Sequence, residues 1–282
     1  MALTRRAAAA DPSIHTWAYP WFLFAQGLAE YRQGRFDQAV SLMRGDASRV
    51  RGPAPRLVLA MALYRSGQAA EARKTLAAAG LYYDWGAHQT DHTYEWICHV
   101  LRREAEGTVL PNLQAYLEGK YQSRDNNERL ALLAARLRID EAQGLHGAAA
   151  RLYFEAFALE PKLAQAVSEG TLFYAARAAA LAACGQGKDA DKLDDRERAG
   201  WRRQALDWLR QDLTWWDKRL DKGNVQTNAQ VQQWLQHWQT DSDLAGVRAK
   251  DALTRLPEEE RKRWESLWSN VDAMLRRVSE PE

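Results

Sequence analysis

An internal repeat with a period of 33 residues constrains the fold of this chain more than any other feature. Residues 22–40 read FLFAQGLAEYRQGRFDQAV, and residues 55–73 read PRLVLAMALYRSGQAAEAR. The matching pairs are Gly27 and Ala60, Tyr31 and Tyr64, Gly34 and Gly67, and Ala39 and Ala72. Each copy has the apolar period of a helix, a turn with glycine, and a second helix with a small residue for close packing. The repeat predicts stacked helical hairpins, because one such pair cannot bury its apolar face alone.

Further copies follow with less regularity. Residues 128–161 form a third copy, in which Leu137 stands where the first helix should carry a small residue. A fourth begins at 172–184, and a polar insertion expands its turn before a helix predicted over 196–221. The helices predicted for a degenerate repeat before the third copy are 93–105 and 111–117. The predicted boundaries are a lead-in at 1–20, repeats at about 21–53, 54–80, 92–121, 128–161 and 171–221, and a C-terminal helical cap at 222–282.

Tryptophan is concentrated near the C-terminus, where eight of the 12 follow residue 200. Trp201, Trp208 and Trp215 are seven residues apart, so they share one helix face. The pairs at i and i+4 are Trp234 with Trp238 and Trp264 with Trp268. Pro257 followed by three glutamates predicts the start of the last helix. This pattern predicts packed helices that shield the last apolar face of the array.

The repeat resembles the tetratricopeptide repeat, a helix-turn-helix unit of about 34 residues. The resemblance is good over 22–79, and in the third copy it is best in the second helix, 145–161. It implies an all-α, right-handed superhelical solenoid of repeats, closed here by the Trp-rich helical cap. In such a solenoid the first helix of each repeat lines a concave groove, which takes peptide segments of other proteins.

Longer segments resemble one group of proteins in particular. They read RDNNERLALL, GLHGAAARLYFEAFALEP, AARAAALAACGQGKDA, RRQALDWLRQDL, VQQWLQHWQTDSDLAGVR and LPEEERKRWESLW. These segments are similar to the C-terminal repeat regions of planctomycete serine/threonine protein kinases. The resemblance runs from about residue 20 to the end and is strongest after residue 121. It implies an accessory region that binds partners or organises a kinase.

The catalytic motifs of those kinases are missing from this chain. It has no glycine-rich phosphate loop, no H-R-D catalytic loop and no D-F-G metal site. It opens almost directly on the repeats, as a stand-alone paralogue or a fragment would. The prediction is therefore a protein-interaction or scaffold module and not an enzyme. One alternative is the regulatory region of a kinase signalling system, acting in trans or as a fragment of a larger kinase.

Composition excludes several other classes of protein. The 39 basic residues nearly balance the 37 acidic ones, which argues against a nucleic-acid or anionic-membrane binder. No apolar run approaches the length of a membrane helix, and the N-terminus has no signal-peptide pattern. Two cysteines, Cys98 and Cys184, cannot build a disulfide framework. The expectation is a cytoplasmic protein with a protein or peptide partner, no cofactor, and no contact with nucleic acid or membrane.

The repeat offsets also predict which residues line the groove. They are Phe24, Leu28, Tyr31, Arg32, Leu57, Met61, Tyr64, Arg65 and Arg138. The competing interpretation is that several of these residues pack against the neighbouring repeat instead. A groove that is apolar and aromatic, edged by Arg32 and Arg65, suits an apolar peptide with an acidic flank.

A metal site is the sharpest alternative. His88, His92 and His99 lie within twelve residues, and His92, Glu95 and His99 can share a helix face. Cys98 points away from that face by helical phase. The competing interpretation is a plain helix whose Trp96 and Val100 lie in the core.

Three weaker hypotheses concern other clusters. The acidic residues at 189–197 lack the spacing of a calcium loop, and Asp194 with Asp195 is expected to cap the next helix. Cys184 has no histidine near it in sequence, so a packing role is expected rather than nucleophilic catalysis. Trp215 and Trp216 lie among basic residues, but acidic neighbours cancel that charge, so one core indole and one rim indole are expected rather than nucleic-acid stacking.

Overall fold

The computed structural model describes residues 18–83, 85, 92–165, 170–220 and 225–279. The α-helices are α1 Tyr19–Arg32, α2 Phe36–Arg44, α3 Ala54–Arg65, α4 Ala69–Leu81, α5 His92–Val109, α6 Leu113–Leu117, α7 Asn126–Ala142, α8 His146–Leu159, α9 Lys162–Gln165, α10 Thr171–Ala183, α11 Asp195–Leu220, α12 Val225–Thr240, α13 Lys250–Leu253 and α14 Glu258–Ser279. Short 3₁₀ helices are Asp46–Arg49, Ala190–Lys192 and Ser242–Val247. Every regular element in these ranges is a helix, which confirms the all-α prediction there. None of the described helices is long and apolar enough to cross a bilayer.

The described residues form two compact units. The N-terminal unit comprises those up to Arg138 together with Ala158–Leu163. The C-terminal unit comprises Ile139–Phe157 and those from Ala164 onward. The division passes through α7 and α8, the helix pair of the third predicted repeat.

The helical hairpins turn at the predicted glycines. Gly34 separates α1 from α2 with φ 74°, and Gly67 separates α3 from α4 with φ 84°. Gly144 separates α7 from α8 in the same way, with φ 71°. A residue with a Cβ pays about 1–2 kcal/mol in this left-handed conformation, so glycine allows a short turn between antiparallel helices.

Small residues let the two helices of a hairpin approach closely. A Cβ on Gly27 of α1 would lie 2.7 Å from the Met43 Cε atom on α2. The repeat matches Gly27 with Ala60 and Ala39 with Ala72, and these three alanines are fully buried. Close backbone approach therefore follows from the same residues that identified the repeat.

The segment predicted as a degenerate repeat contains α5, which ends at Val109 and so extends beyond the predicted Ala105. It packs against α3 and α4 within the N-terminal unit. Cys98, Leu101, Ala105 and Val109 form the packed stripe, and none is more than 3% exposed. These positions follow the three- and four-residue spacing of one helix face.

A buried carboxylate ties the start of α7 to α4. Glu128 is 2% exposed and accepts hydrogen bonds from the Arg73 guanidinium at 2.9 Å and the Tyr121 hydroxyl at 2.9 Å. The backbone N–H of Arg124 donates to the same carboxylate at 2.7 Å. Three donors, one of them the cationic Arg73 guanidinium, compensate for removing this charge from water.

The polar insertion of the fourth repeat carries two helix caps. Asp194 Oδ1 accepts the Glu197 N–H at 2.7 Å, and Glu197 Oε2 accepts the Asp194 N–H at 3.1 Å. This reciprocal pair is a capping box at the start of α11, as the sequence predicts for Asp194. Asp189 accepts N–H groups at the start of α8, including that of Ala148 at 2.8 Å. The acidic residues of this insertion therefore stabilise helix ends.

Tryptophans fill the core of the C-terminal unit. Trp238 on α12 and Trp264 on α14 are fully buried, and Trp208 on α11 is 4% exposed. Phe173 of α10 stacks on Trp238 with ring centroids 5.8 Å apart. The three tryptophan-bearing helices α11, α12 and α14 pack on one another, as the indole spacing predicts.

Candidate protein-interaction surface

One face of α5 exposes large apolar side chains side by side. Trp96 is 70% exposed, Val100 56% and Ile97 40%. Arg103, also exposed, follows Val100 on the same side of the helix. We call Trp96, Ile97, Val100 and Arg103 the α5 surface.

The sequence interpretation that placed Trp96 and Val100 in the core is wrong. Helical phase explains the outcome, because the buried stripe starts at Cys98 and repeats at Leu101, Ala105 and Val109. Trp96 and Val100 lie on the opposite side of the same helix. The signal was present in the sequence, since α5 carries two apolar stripes and a helix that packs on one side can bury only one of them.

Contacts from α1 and the loop before α3 hold α5 in place. The Tyr94 hydroxyl donates a hydrogen bond to the Arg51 carbonyl oxygen, and its ring lies 5.0 Å from that of Trp21 in an edge-to-face arrangement. Arg32 binds Glu104 through both guanidinium nitrogens, one of them at 2.6 Å. The α5 surface is therefore presented by a helix that is anchored on its flanks.

Two arginines share one carboxylate beside the α5 surface. Arg102 is 7% exposed and donates to both Glu106 oxygens at 3.2 Å, while its guanidinium stacks on the Trp85 ring at 5.2 Å. Arg138 Nε lies 3.5 Å from the same Glu106 carboxylate. Burial lowers the pKa of Arg138, and the Glu106 charge opposes that shift. We refer to Arg102, Arg103 and Arg138 as the arginine cluster.

His99 lies between these two features. Its ring is 5.4 Å from that of Trp85, and its Nε2 lies 3.8 Å from Glu95. Partial burial lowers the pKa of His99, and the positive charge of Arg102 lowers it further. At neutral pH the imidazole is therefore uncharged and adds no positive charge to the arginine cluster. An open depression of about 330 Å³ lies against Glu95, Trp96, His99, Val100 and Arg103.

The predicted groove residues divide by exposure. Phe24, Leu57 and Met61 are 6%, 1% and 0% exposed, so they pack in the core of the N-terminal unit and present no accessible surface. The partly or fully accessible ones are Leu28, Tyr31, Arg32, Tyr64, Arg65 and Arg138.

The two cations expected to edge the groove are already engaged. Arg32 is paired with Glu104, and Arg65 stacks on the Phe36 ring at 5.5 Å. Tyr31 lies 5.8 Å from the same Phe36 ring. Arg138 belongs instead to the arginine cluster beside α5. Free positive charge is therefore found at α5 and not at Arg32.

The structure describes only some of the residues that the metal hypothesis needs. His88 and the side chain of His92 lie outside the described residues, so that hypothesis stays a prediction. No three His, Cys, Asp or Glu side chains converge on a common point in the described part of the chain. Burial raises the pKa of Cys98 to about 11, so its thiol is protonated at neutral pH and is a poor metal ligand in that form.

Packing also accounts for Cys184 and for the pair Trp215 and Trp216. A Cβ on Gly246 would lie 2.4 Å from the Cys184 Sγ atom, so this thiol fills a close contact. Trp216 is 6% exposed, whereas Trp215 is half-buried beneath the Arg219 guanidinium at 4.6 Å. This is the predicted division into one core and one rim indole.

Comparison of the chain with family models, with characterised proteins and with solved structures found no match.

Proposed function

We propose that this protein is a non-catalytic, tetratricopeptide-like interaction module that binds a partner protein through the α5 surface. The observation that carries the proposal is the exposure of Trp96, Ile97 and Val100 next to one another. Single exposed apolar residues are common, but adjacent ones rimmed by charge are typical of protein-binding surfaces. Tryptophan and arginine are also the residue types that contribute most to binding energy at interfaces.

The repeat pattern supports the same function. The matched glycines and alanines at hairpin turns and contacts, together with the tetratricopeptide resemblance, are typical of folds that bind proteins. The accessible groove residues adjoin the α5 surface, because Arg32 of α1 reaches Glu104, the residue after Arg103. A partner seated on α5 therefore has Tyr31 and Arg32 within the neighbouring surface.

Affinity capture with matched variants tests the proposal. Trp96→Asp with Val100→Asp removes the apolar character of the α5 surface. Phe154→Asp is the control, because Phe154 on α8 is also 54% exposed but has no comparably exposed apolar neighbour. We expect a partner, identified from source-cell lysate by mass spectrometry, to bind purified wild type and Phe154→Asp alike.

The double variant is expected to lose that partner while keeping its helical circular dichroism and its unfolding midpoint. Exposed side chains contribute little to stability, so the fold should change by less than about 0.5 kcal/mol. Equal binding of the purified partner to the folded double variant and to wild type would show that α5 is not the binding surface.

A further inference from the structure

The arginine cluster leaves positive charge unneutralised beside the α5 surface. Arg103 is exposed and has no ion-pair partner among the described residues. Arg102 and Arg138 share the single Glu106 carboxylate, and Glu95 is the other acidic group facing this region. Among the described residues, three guanidinium groups thus face two carboxylates.

Buried donors in the cluster also lack acceptors. The Nε–H group of Arg102 is buried and has no hydrogen-bond acceptor in the described part of the chain, and the buried Nε–H group of Arg138 has only a long contact, 3.5 Å, with the Glu106 carboxylate. A buried donor without an acceptor is unfavourable, and a charged donor is more so. An incoming anionic oxygen would satisfy both the charge and the hydrogen-bonding capacity.

The size of the adjoining recess limits what can enter. The space beside Arg102, Glu106, Arg138 and Trp85 holds only about 10 Å³ of water-accessible volume. That is room for about one water-sized group. A single oxygen atom of an incoming anionic group fits there, whereas an aromatic ring does not.

We propose that the α5 surface selects a partner segment that combines a bulky apolar side chain with an aspartate or glutamate. The apolar side chain packs on Trp96 and Val100, and the carboxylate binds Arg103 beside the guanidinium groups of Arg102 and Arg138. This inference rests on the proposed function and deepens it by stating the chemistry of the partner. Because Arg32 is already paired with Glu104 whereas Arg103 has no ion-pair partner among the described residues, the acidic preference expected from the sequence is assigned to α5.

Helix geometry sets the spacing that the partner needs. Trp96 and Arg103 are seven residues apart on α5, which corresponds to about 10 Å along the helix axis. A helical partner lying along α5 would therefore carry its carboxylate about seven residues from its apolar anchor. An extended partner would need a separation of about three residues.

A matched pair of synthetic peptides tests the inference. Both are amphipathic helices of about 18 residues with an apolar stripe, and they differ only in having Glu or Lys seven residues from a central leucine. Fluorescence anisotropy should show wild-type protein binding the Glu peptide about tenfold more tightly than the Lys peptide. Raising NaCl from about 50 mM to about 300 mM should reduce that preference, because the Arg103 part of the contact is exposed.

Charge reversal supplies the decisive comparison. Arg103→Glu should abolish or invert the preference for the Glu peptide. Arg255→Glu is the matched control in the C-terminal unit, where Arg255 is exposed, and it should behave as wild type does. Trp96→Asp should weaken binding of both peptides.

Three results would overturn the inference. If both peptides bind equally and depend on Trp96, the charge preference is wrong while the binding surface stands. If neither peptide binds but Trp96-dependent capture of a natural partner persists, the partner chemistry is wrong and the proposed function stands. If sedimentation shows Trp96-dependent self-association of wild type, the occupant of α5 is a second copy of the chain and not an acidic segment.

Discussion

Replacing the buried Asp212 by asparagine should change how the stability of the C-terminal unit depends on pH. Asp212 on α11 is fully buried, and the indole N–H groups of Trp216 and Trp234 lie near its carboxyl without forming hydrogen bonds of good geometry in the described structure. Burial raises the pKa of Asp212 well above its ordinary value of 3.8. The nearby indoles of Trp234 and Trp216 lower it, but by less than burial raises it. The folded protein therefore holds this carboxyl protonated at pH values where the unfolded chain has ionised it.

The sign of the effect follows from proton linkage. Above pH 3.8 the unfolded chain has lost the Asp212 proton while the folded chain retains it, so unfolding releases a proton. Stability from this group is fully present below pH 3.8 and is lost as pH rises toward the folded-state pKa. One proton corresponds to about 1.4 kcal/mol per pH unit within that window.

Asp212→Asn removes this dependence because asparagine does not ionise. The change in packing caused by the amide does not vary with pH, so the pH slope isolates the ionisation. At pH values above 3.8 and below the folded-state pKa, the free energy of unfolding of wild type should fall by about 1.4 kcal/mol per pH unit relative to the variant. With a urea dependence of about 2 kcal/mol/M, the difference between the two midpoints should then shift by about 0.7 M per pH unit.

Urea unfolding followed by tryptophan fluorescence is the appropriate assay. Eight of the 12 tryptophans follow residue 200, so the signal reports mainly on the C-terminal unit. Asp207→Asn, an exposed position on the same helix, controls for loss of a negative charge from α11. A wild-type minus Asp212→Asn difference that stays constant as pH rises above 3.8 would refute the assignment of a protonated, buried carboxyl.

Two further substitutions test the fold of the N-terminal unit. Gly67→Ala should cost about 1 kcal/mol, because Gly67 has φ 84° and the added Cβ meets no neighbouring atom. Gly107→Ala, in the exposed last turn of α5, should instead stabilise by about 0.5–1 kcal/mol. Thermal unfolding of both variants measures this, and equal shifts would contradict the turn argument. Glu128→Ala should lower the free energy of unfolding by about 3–5 kcal/mol, because Arg73 is 11% exposed and loses its charged partner. Denaturant unfolding that shows a loss below about 1 kcal/mol would contradict a stabilising role for the Arg73–Glu128 pair.

Features that depend on nearby residues were predictable from the sequence. The turn positions of Gly34, Gly67 and Gly144 follow from the backbone conformation that a short hairpin needs, and the Asp194 cap follows from its place before a helix. The buried alanines follow from the close approach of paired helices. Each of these is decided within about one helical turn or one hairpin of sequence, where geometry depends little on the rest of the chain.

Exposure of the candidate site was not predictable in the same way. Phe24, Leu57 and Met61 were expected in an accessible groove but are buried, whereas Trp96 and Val100 were expected in the core but are exposed. Both errors concern which of two apolar faces of a helix meets a neighbour. That choice depends on the helices packed around each one, which periodicity within a helix does not reveal.

The sequence by itself determined the all-α class, the helical hairpins and their glycine turns, and the concentration of tryptophan in the C-terminal unit. Only the tertiary structure decided that α5 turns Trp96 and Val100 outward, and that Arg102 and Arg138 share one carboxylate while Arg103 has no ion-pair partner among the described residues. It also decided that Asp212 is buried, with the Trp216 and Trp234 indoles near its carboxyl. The reason is physical: backbone conformation responds to local sequence, whereas burial and charge pairing are set by residues that lie far apart in the chain and meet only on folding.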